Sequence, residues 1–136
     1  VNRTEDSCPF CREIAASSAQ GDAVVLSDAN PVSDGHMLIV PRRHVGRVEE
    51  LEDAEWDVLF AEVRAATRSA VAAAANGVDG VNIGVNSGAA AGQTVAHAHV
   101  HVIPRRHGDC EDPRGGVRWV VGGRNAAYWE QSSASS

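Results

Sequence analysis

The sequence predicts a single α+β domain, and three observations carry that prediction. Short β-branched segments bounded by turn residues recur along the chain. One long stretch, Asp53 to Ala75, spaces apolar residues as a helix does. His97-Ala98-His99-Val100-His101-Val102-Ile103 alternates as a strand does. Strands and helices are interspersed, without repeats or a linker, so they are expected to share one core. A chain of 136 residues is long enough for this, since such a domain buries about two thirds of its unfolded surface.

The elements follow in chain order. Val1 to Ser7 is polar and expected to be loose. Cys11 to Ala19 is an Ala-rich helix segment closed by Gly21. Ala23 to Leu26 reads as a strand. Asp28-Ala29-Asn30-Pro31 and Ser33-Asp34-Gly35 read as turns, and His36 to Val40 as a second strand ended by Pro41. In the long helix Trp56, Leu59, Phe60, Val63, Ala66, Ala70, Val71 and Ala74 form the apolar stripe. Acids crowd its first turn, where the helix dipole favours them, and Asn76-Gly77 closes it. Val81 to Val85 is a third strand and Ala96 to Ile103 a fourth. Small residues from Ser87 to Gly92 make the approach to the fourth strand flexible. Residues 107–130 read as a C-terminal extension rich in Gly, Arg and Pro, with a short apolar run at Val117 to Val121. The Ser-rich end, 131–136, is expected to fray.

Composition excludes several classes of function. The chain is 43% hydrophobic, and eighteen acids against twelve bases give a net charge of −6. That balance argues against gripping a nucleic-acid polymer, which needs a basic footprint. A small anionic ligand is still compatible, because a local site can be positive on an acidic protein. No apolar run approaches the ~20 residues of a membrane span, and the start lacks the charged-then-apolar pattern of a secretion signal. No membrane partner is expected, and the cytoplasm is the expected location. Three cysteines do not make a disulfide framework.

The histidine segment carries the chemistry. In a strand, residues two apart share a face, so the imidazoles of His97, His99 and His101 would line one side over ~13 Å at ~3.3 Å per residue. Imidazole suits attack at phosphorus near neutral pH, where much of it is unprotonated. Cys8-Pro9-Phe10-Cys11 is a second feature. Two thiols at this spacing suit one metal ion, a redox dithiol, or simply two buried thiols. The motif alone does not choose among these.

Residues Gly92-Gln93-Thr94-Val95-Ala96-His97-Ala98-His99-Val100-His101-Val102-Ile103 resemble the signature block of the histidine-triad (HIT) family, His-φ-His-φ-His-φ-φ with φ hydrophobic. The resemblance runs from about Cys8 to about Arg106. It implies a mainly antiparallel sheet of about five strands flanked by two helices, and a homodimer. It implies that His99 attacks an α-phosphorus and holds the nucleotidyl group covalently until water releases it. His101 would contact the phosphate oxygens, and His36, in Asp34-Gly35-His36-Met37, would support the triad. Asp28 matches a ribose-hydroxyl acceptor, Asn86 an amide near the phosphate, and Thr94 a hydroxyl near the leaving-group oxygen. Gln93 belongs to the same block. Leu26 and Ile39 would help line a base pocket.

The resemblance extends to a metal. Some members, and the related galactose-1-phosphate uridylyltransferases, hold a structural zinc. The matching ligands here are Cys8, Cys11, His44 and His97, with no catalytic metal required. Arg114, Arg118 and Trp119 stand where relatives shape leaving-group preference, and Arg105 and Arg106 would add positive potential. Cys110 and His107 lie outside the motif and are expected to be an unpaired thiol and an exposed ring. The implied activity is cleavage of nucleoside 5′-phosphoric anhydrides, such as diadenosine polyphosphates, on a purine nucleotide substrate. An adenosine 5′-monophosphoramidase and a non-catalytic nucleotide-binding signalling module are the alternatives.

Overall fold

The computed structural model describes residues 5–133. The chain divides into two compact units, Val1–Arg105 and Arg106–Ser136. The first contains α1 (Pro9–Ala16), β1 (Ala23–Ser27), β2 (Met37–Pro41), α2 (Asp53–Ala72), β3 (Gly80–Val85) and β4 (Val100–Arg105). The strands form one antiparallel sheet in the order β1-β2-β4-β3. Four strands are present among the described residues, where about five were expected.

Local chemistry sets the helix ends. Cys8 caps α1, its thiol accepting from the Cys11 amide. Pro9 follows at the first turn, where its missing N–H costs nothing. The helix therefore starts two residues before the expected Cys11. It stops at Ala16, where the Ser17 hydroxyl donates to the Ile14 carbonyl. α2 opens on a reciprocal capping box between Glu52 and Glu55. It ends at Ala72, ahead of a 3₁₀ turn at Ala74–Asn76.

Strand alternation divides the core between the two sheet faces. On one face Ile39, Val100 and Val102 pack with Leu59, Val63 and Ala66 of α2. On the other, Leu38 and Val40 pack with Val24, Leu26, and Phe10 and Ile14 of α1. The central strand β2 is thus buried on both faces, which suits its unbroken apolar run. The α2 stripe is narrower than the sequence suggested. Leu59, Val63, Ala66 and Ala70 are buried, whereas Trp56 and Val71 are exposed; Trp56 stacks on Phe60 at 4.7 Å between centroids.

The fourth strand begins at Val100, not at Ala96. The preceding backbone is engaged elsewhere, since the Ala98 amide donates to the Val45 carbonyl and the His97 carbonyl accepts from its neighbour's ring. Only His101 of the three histidines therefore lies on a strand. It pairs with Leu38 across β2, which places it on the α1 face.

The second unit contains a 3₁₀ turn at Gly116–Val120 and α3 (Tyr128–Ser133). Two of its arginines are engaged internally. Arg114 pairs with Asp112 and sits 4.7 Å over the Trp129 ring; Arg118 donates to the Asn125 carbonyl and lies over Tyr128. The Trp119 indole donates to the Arg114 carbonyl. The apolar run 117–121 is not a core strand, because Val117, Trp119, Val120 and Val121 are exposed. His107 and Cys110 are exposed as well. The loose ends expected at 1–7 and 131–136 fall partly outside the described residues. Of the rest, 5–7 form a 3₁₀ turn and 131–133 belong to α3.

The packing predicts the cost of a core truncation. Leu59 is fully buried between α2 and the sheet, so Leu59→Ala should destabilise by about 2–5 kcal/mol. Val25→Ala, on the edge strand β1 and 41% exposed, should stay within ~0.5 kcal/mol. Urea denaturation of both variants checks this, and equal losses would refute the assigned core.

Candidate functional site

A cavity of about 390 Å³ opens on the α1 face of the sheet. Pro9 and Phe10 of α1 form one wall, and residues 27–30, at the end of β1 and just beyond it, form a second. Leu38, His99 and His101 form the floor, and Asn86 with Gly92, Thr94 and Val95 closes the far side. Asp28, Asn86, Thr94, His99 and His101 are thus brought together as the sequence suggested. Ile39 is not among them, because alternation turns it to the α2 face. Leu38 takes its place. Leu26 lines a separate hollow of about 310 Å³ with Glu13, Ala16, Ser17 and Ser27.

Gln93 does not line the cavity. Its side-chain oxygen accepts from the Gly88 amide, and its nitrogen donates to the Gly46 and Val95 carbonyls. It pins the loop that carries Asn86 and Thr94. Gly88 itself adopts φ +89°, and a Cβ there would meet the Arg47 guanidinium at 2.9 Å. Arg47 pairs with Glu49, and Glu49 accepts from Ser87 of the same loop.

Backbone partners assign the histidine tautomers. A carbonyl can only accept, so His99 Nδ1, 2.7 Å from the His97 carbonyl, carries a proton. Its Nε2 is then bare in the neutral ring. His97 Nε2 likewise donates to the Pro41 carbonyl at 2.8 Å, leaving Nδ1 bare. His36 is the reverse case. Its Nδ1 accepts from the Val32 amide at 3.2 Å, so its proton sits on Nε2. That N–H points at His101 Nδ1, 2.9 Å away, with Asp28 Oδ2 at 3.3 Å. His101 Nδ1 is therefore an acceptor, and the neutral ring carries its proton on Nε2. Burial pushes His101 below the ordinary histidine value, and the neighbouring His99 and His36 push it further in the same direction.

The bare Nδ1 of His97 faces a second cluster. It lies 3.4 Å from Cys8 Sγ, 3.5 Å from Cys11 Sγ and 3.3 Å from His44 Nδ1, and Cys11 Sγ lies 3.3 Å from His44 Nδ1. Tetrahedral ligands at the usual zinc distances stand ~3.3–3.8 Å apart, so this donor set fits such an ion. Two thiols with two imidazole nitrogens suit a borderline-soft ion and not magnesium or calcium. Burial and the Cys8 thiol push Cys11 up to about 12, a thiol that ionises readily only if a cation replaces its proton. Burial pushes His97 down, which also favours the neutral ligand form. The His97 bond to Pro41 is the outer-shell contact that orients such a ligand.

Asp28, His36 and His101 also lie close enough to share an ion. The tautomer argues otherwise. His36 Nε2 holds a proton as long as Val32 donates to Nδ1, so this cluster shares protons and not a metal.

Phe10, like Pro9 and Leu38, lines the cavity without having been marked by the sequence. Its ring meets His99 and His97 edge-on, at 5.0 and 5.8 Å between centroids. Its position inside the Cys-x-x-Cys segment was the available signal, since whatever fixes the two thiols near His97 also places the residue between them. Arg105 donates to Asn82 across the sheet.

Comparison with known proteins agrees with this geometry. A HIT domain model matches residues 18–108. The chain is 36% identical over 112 residues to adenylylsulfatase HINT3 of Arabidopsis thaliana, covering 78% of this chain and 56% of the plant protein. It is 40% identical over 79 residues to the asymmetrical bis(5′-nucleosyl)-tetraphosphatase of Schizosaccharomyces pombe, covering 58% of this chain and 42% of that enzyme. The chain thus spans about half the length of these two relatives. A zinc-bound histidine triad family protein from Mycobacterium smegmatis superposes with a TM-score of 0.64 at 28% identity, over 96% of this chain and 99% of the other. Family model, relatives and fold agree, and the chain belongs to the histidine-triad family.

Proposed function

We propose that this protein cleaves nucleoside 5′-phosphoric anhydrides through a covalent nucleotidyl intermediate on His99. The observation that carries this reading is the hydrogen bond from His99 Nδ1 to the His97 carbonyl. It fixes the tautomer with a bare Nε2 on a ring that lines the cavity. A nucleophile needs that lone pair and a rigid mount. Relatives named for adenylyl sulfate and for bis(5′-nucleosyl) tetraphosphate support the choice of substrate class.

In this mechanism His99 Nε2 attacks the α-phosphorus. The N–P bond forms as the bridging P–O bond breaks, and the leaving group departs with that bond's electron pair. Water then attacks the same phosphorus, the N–P bond breaks, and the water's proton passes to solvent. His99 is returned neutral and a nucleoside monophosphate is released. His101, with its proton on Nε2, donates to the phosphate oxygens as negative charge builds there. His36 keeps His101 in that tautomer. Asn86 and Thr94 approach from the loop side, and Asp28 takes the ribose hydroxyls. Gln93 acts by holding the loop in place.

Zinc is the ion proposed for Cys8, Cys11, His44 and His97. The set offers four protein ligands, so the ion would be structural. Its contribution would be to tie the N-terminal segment to the residue whose carbonyl orients His99.

Two outcomes are expected. His99→Ala should lower turnover of diadenosine tetraphosphate by at least ~10³-fold while the protein still binds AMP. A phosphoramidate of AMP assayed beside it sets the preferred leaving group. Unchanged turnover in the variant would remove His99 as nucleophile. Exhaustive chelation should lower the melting temperature and the activity together, with zinc restoring both. A protein that contains no metal after purification in zinc-supplemented buffer, and that chelator does not affect, would refute the metal proposal.

A further inference from the structure

We propose that Asp28 couples recognition of the nucleotide's sugar to the proton held by the His36–His101 pair. The inference rests on the nucleotide reading above and concerns how that site senses its ligand. His36 Nδ1 is occupied by the Val32 amide, so that ring cannot take a second proton without breaking a backbone hydrogen bond. In the neutral pair one N–H, on His36 Nε2, faces two acceptors, His101 Nδ1 at 2.9 Å and Asp28 Oδ2 at 3.3 Å. A further proton therefore goes to His101 Nδ1. Two N–H groups would then confront each other across 2.9 Å, and one must turn to another acceptor.

Asp28 Oδ2 is that acceptor, 3.3 Å from one nitrogen and 3.9 Å from the other. The carboxylate is held in place for this role. Its Oδ1 accepts from the Asn30 amide at 2.8 Å, and its own backbone amide donates to the His36 carbonyl at 3.1 Å. Among the described residues, the charged and titratable groups around His101 are His99 from the preceding segment, His36 just before β2, Asp28 just after β1, and Glu13 of α1 on the cavity wall. The two imidazoles oppose a positive charge on His101, and Asp28 is the carboxylate that touches it.

The same carboxylate lines the cavity beside Ser27 and Asn30. A ribose diol donating to Oδ2 would stabilise the carboxylate's negative charge and draw it away from the histidines. The pair would then hold its extra proton less tightly. A sugar without those hydroxyls would leave Asp28 on the histidines and the proton in place. Asp28 is thus a positioning residue that makes the proton state of the phosphate-contacting ring depend on the sugar, beyond whatever affinity the diol adds.

Histidine side-chain NMR on the full chain tests this without relying on turnover. Ring signals of His101, assigned with His101→Asn, are followed from pH 4.5 to 8.5 in the free protein. Asp28→Asn keeps the shape and the Asn30 contact but removes the charge. It should lower the His101 midpoint by about one pH unit, or tenfold in proton affinity. Its amide spectrum and melting temperature verify that it is folded. In wild type, the midpoint with saturating AMP should lie about half a unit, or roughly threefold in proton affinity, below that with 2′,3′-dideoxy-AMP. In Asp28→Asn the two ligands should give the same midpoint.

Equal midpoints in free wild type and variant would overturn the carboxylate's hold on the pair. Equal midpoints for the two ligands in wild type would overturn the link to the sugar. If neither ligand perturbs His101, the nucleotide reading falls and takes the sugar link with it. The free-protein comparison, which needs no ligand, still decides the role of Asp28 toward the histidines.

Discussion

The buried ring of His97 is the contact on which the rest of the site depends. One nitrogen donates to the Pro41 carbonyl at the end of β2, and the other faces Cys8, Cys11 and His44. The carbonyl of the same residue accepts the His99 proton. One residue therefore fixes the tautomer of the proposed nucleophile, anchors the N-terminal segment, and takes the chain out of the sheet just before β4. The ring is fully buried, and burying an imidazole with unmet polar atoms would cost several kcal/mol. Its two nitrogens are both satisfied, so the geometry around it is tightly constrained.

Two clusters of titratable groups lie a few residues apart on β4 and its approach, and a single backbone contact in each sets their different chemistry. At His97 a backbone carbonyl accepts from Nε2–H and leaves Nδ1 bare toward two thiols. At His36 a backbone amide donates to Nδ1 and leaves the ring's proton on Nε2, toward His101. Composition alone would allow a metal at either place. The direction of one hydrogen bond makes the first cluster suited to an ion and the second to sharing protons.

Much of this was legible in the sequence because the informative residues carry their chemistry locally. The spacing of His97, His99 and His101 marked the site, and Asn76-Gly77 marked the close of the long helix, which stops at Ala72 ahead of a 3₁₀ turn. The ends of α1 at Pro9 and Ala16 differ from the expected Cys11 and Ala19 because the Cys8 cap and Ser17 set them. The errors arise where tertiary contacts override local pattern. Alternation through the histidines suggested a strand from Ala96, but the Ala98 amide bonds to Val45 and the rings bond to backbone. Trp56 and Val71 fit helical periodicity, yet of that stripe Leu59, Val63, Ala66 and Ala70 are buried while these two stay exposed. Gln93 looked like a ligand contact because it is polar and adjacent to the motif. Its side chain is consumed by three backbone partners that no sequence pattern reveals. Arg114 and Arg118 looked available to shape leaving-group preference, and their carboxylate, carbonyl and aromatic partners lie within the C-terminal unit.

The connection between β2 and α2 is irregular from Arg42 to Arg47 and passes into a 3₁₀ turn at Val48–Glu50, and its contacts show why. Arg42 donates to the Ala19 and Gly21 carbonyls, Arg43 grips Glu55 of the α2 capping box, and His44 faces the thiols. The Val45 carbonyl accepts from Ala98, the Gly46 carbonyl from Gln93, and Glu49 holds Ser87. A helix or strand here would have turned these backbone groups to one another. Left irregular, its groups bond to separate neighbours: the α1–β1 connection, α2, the thiol segment, the histidine approach, and the loop bearing Asn86 and Thr94. The long side chains at Arg42 and Arg43 are each fixed by two hydrogen bonds, which offsets part of the entropy lost in ordering them. This segment contributes no lining residue of its own. Its role is to set the distances between those that do, so substitutions in it should act through placement of the loop and of His97 rather than through contact with ligand.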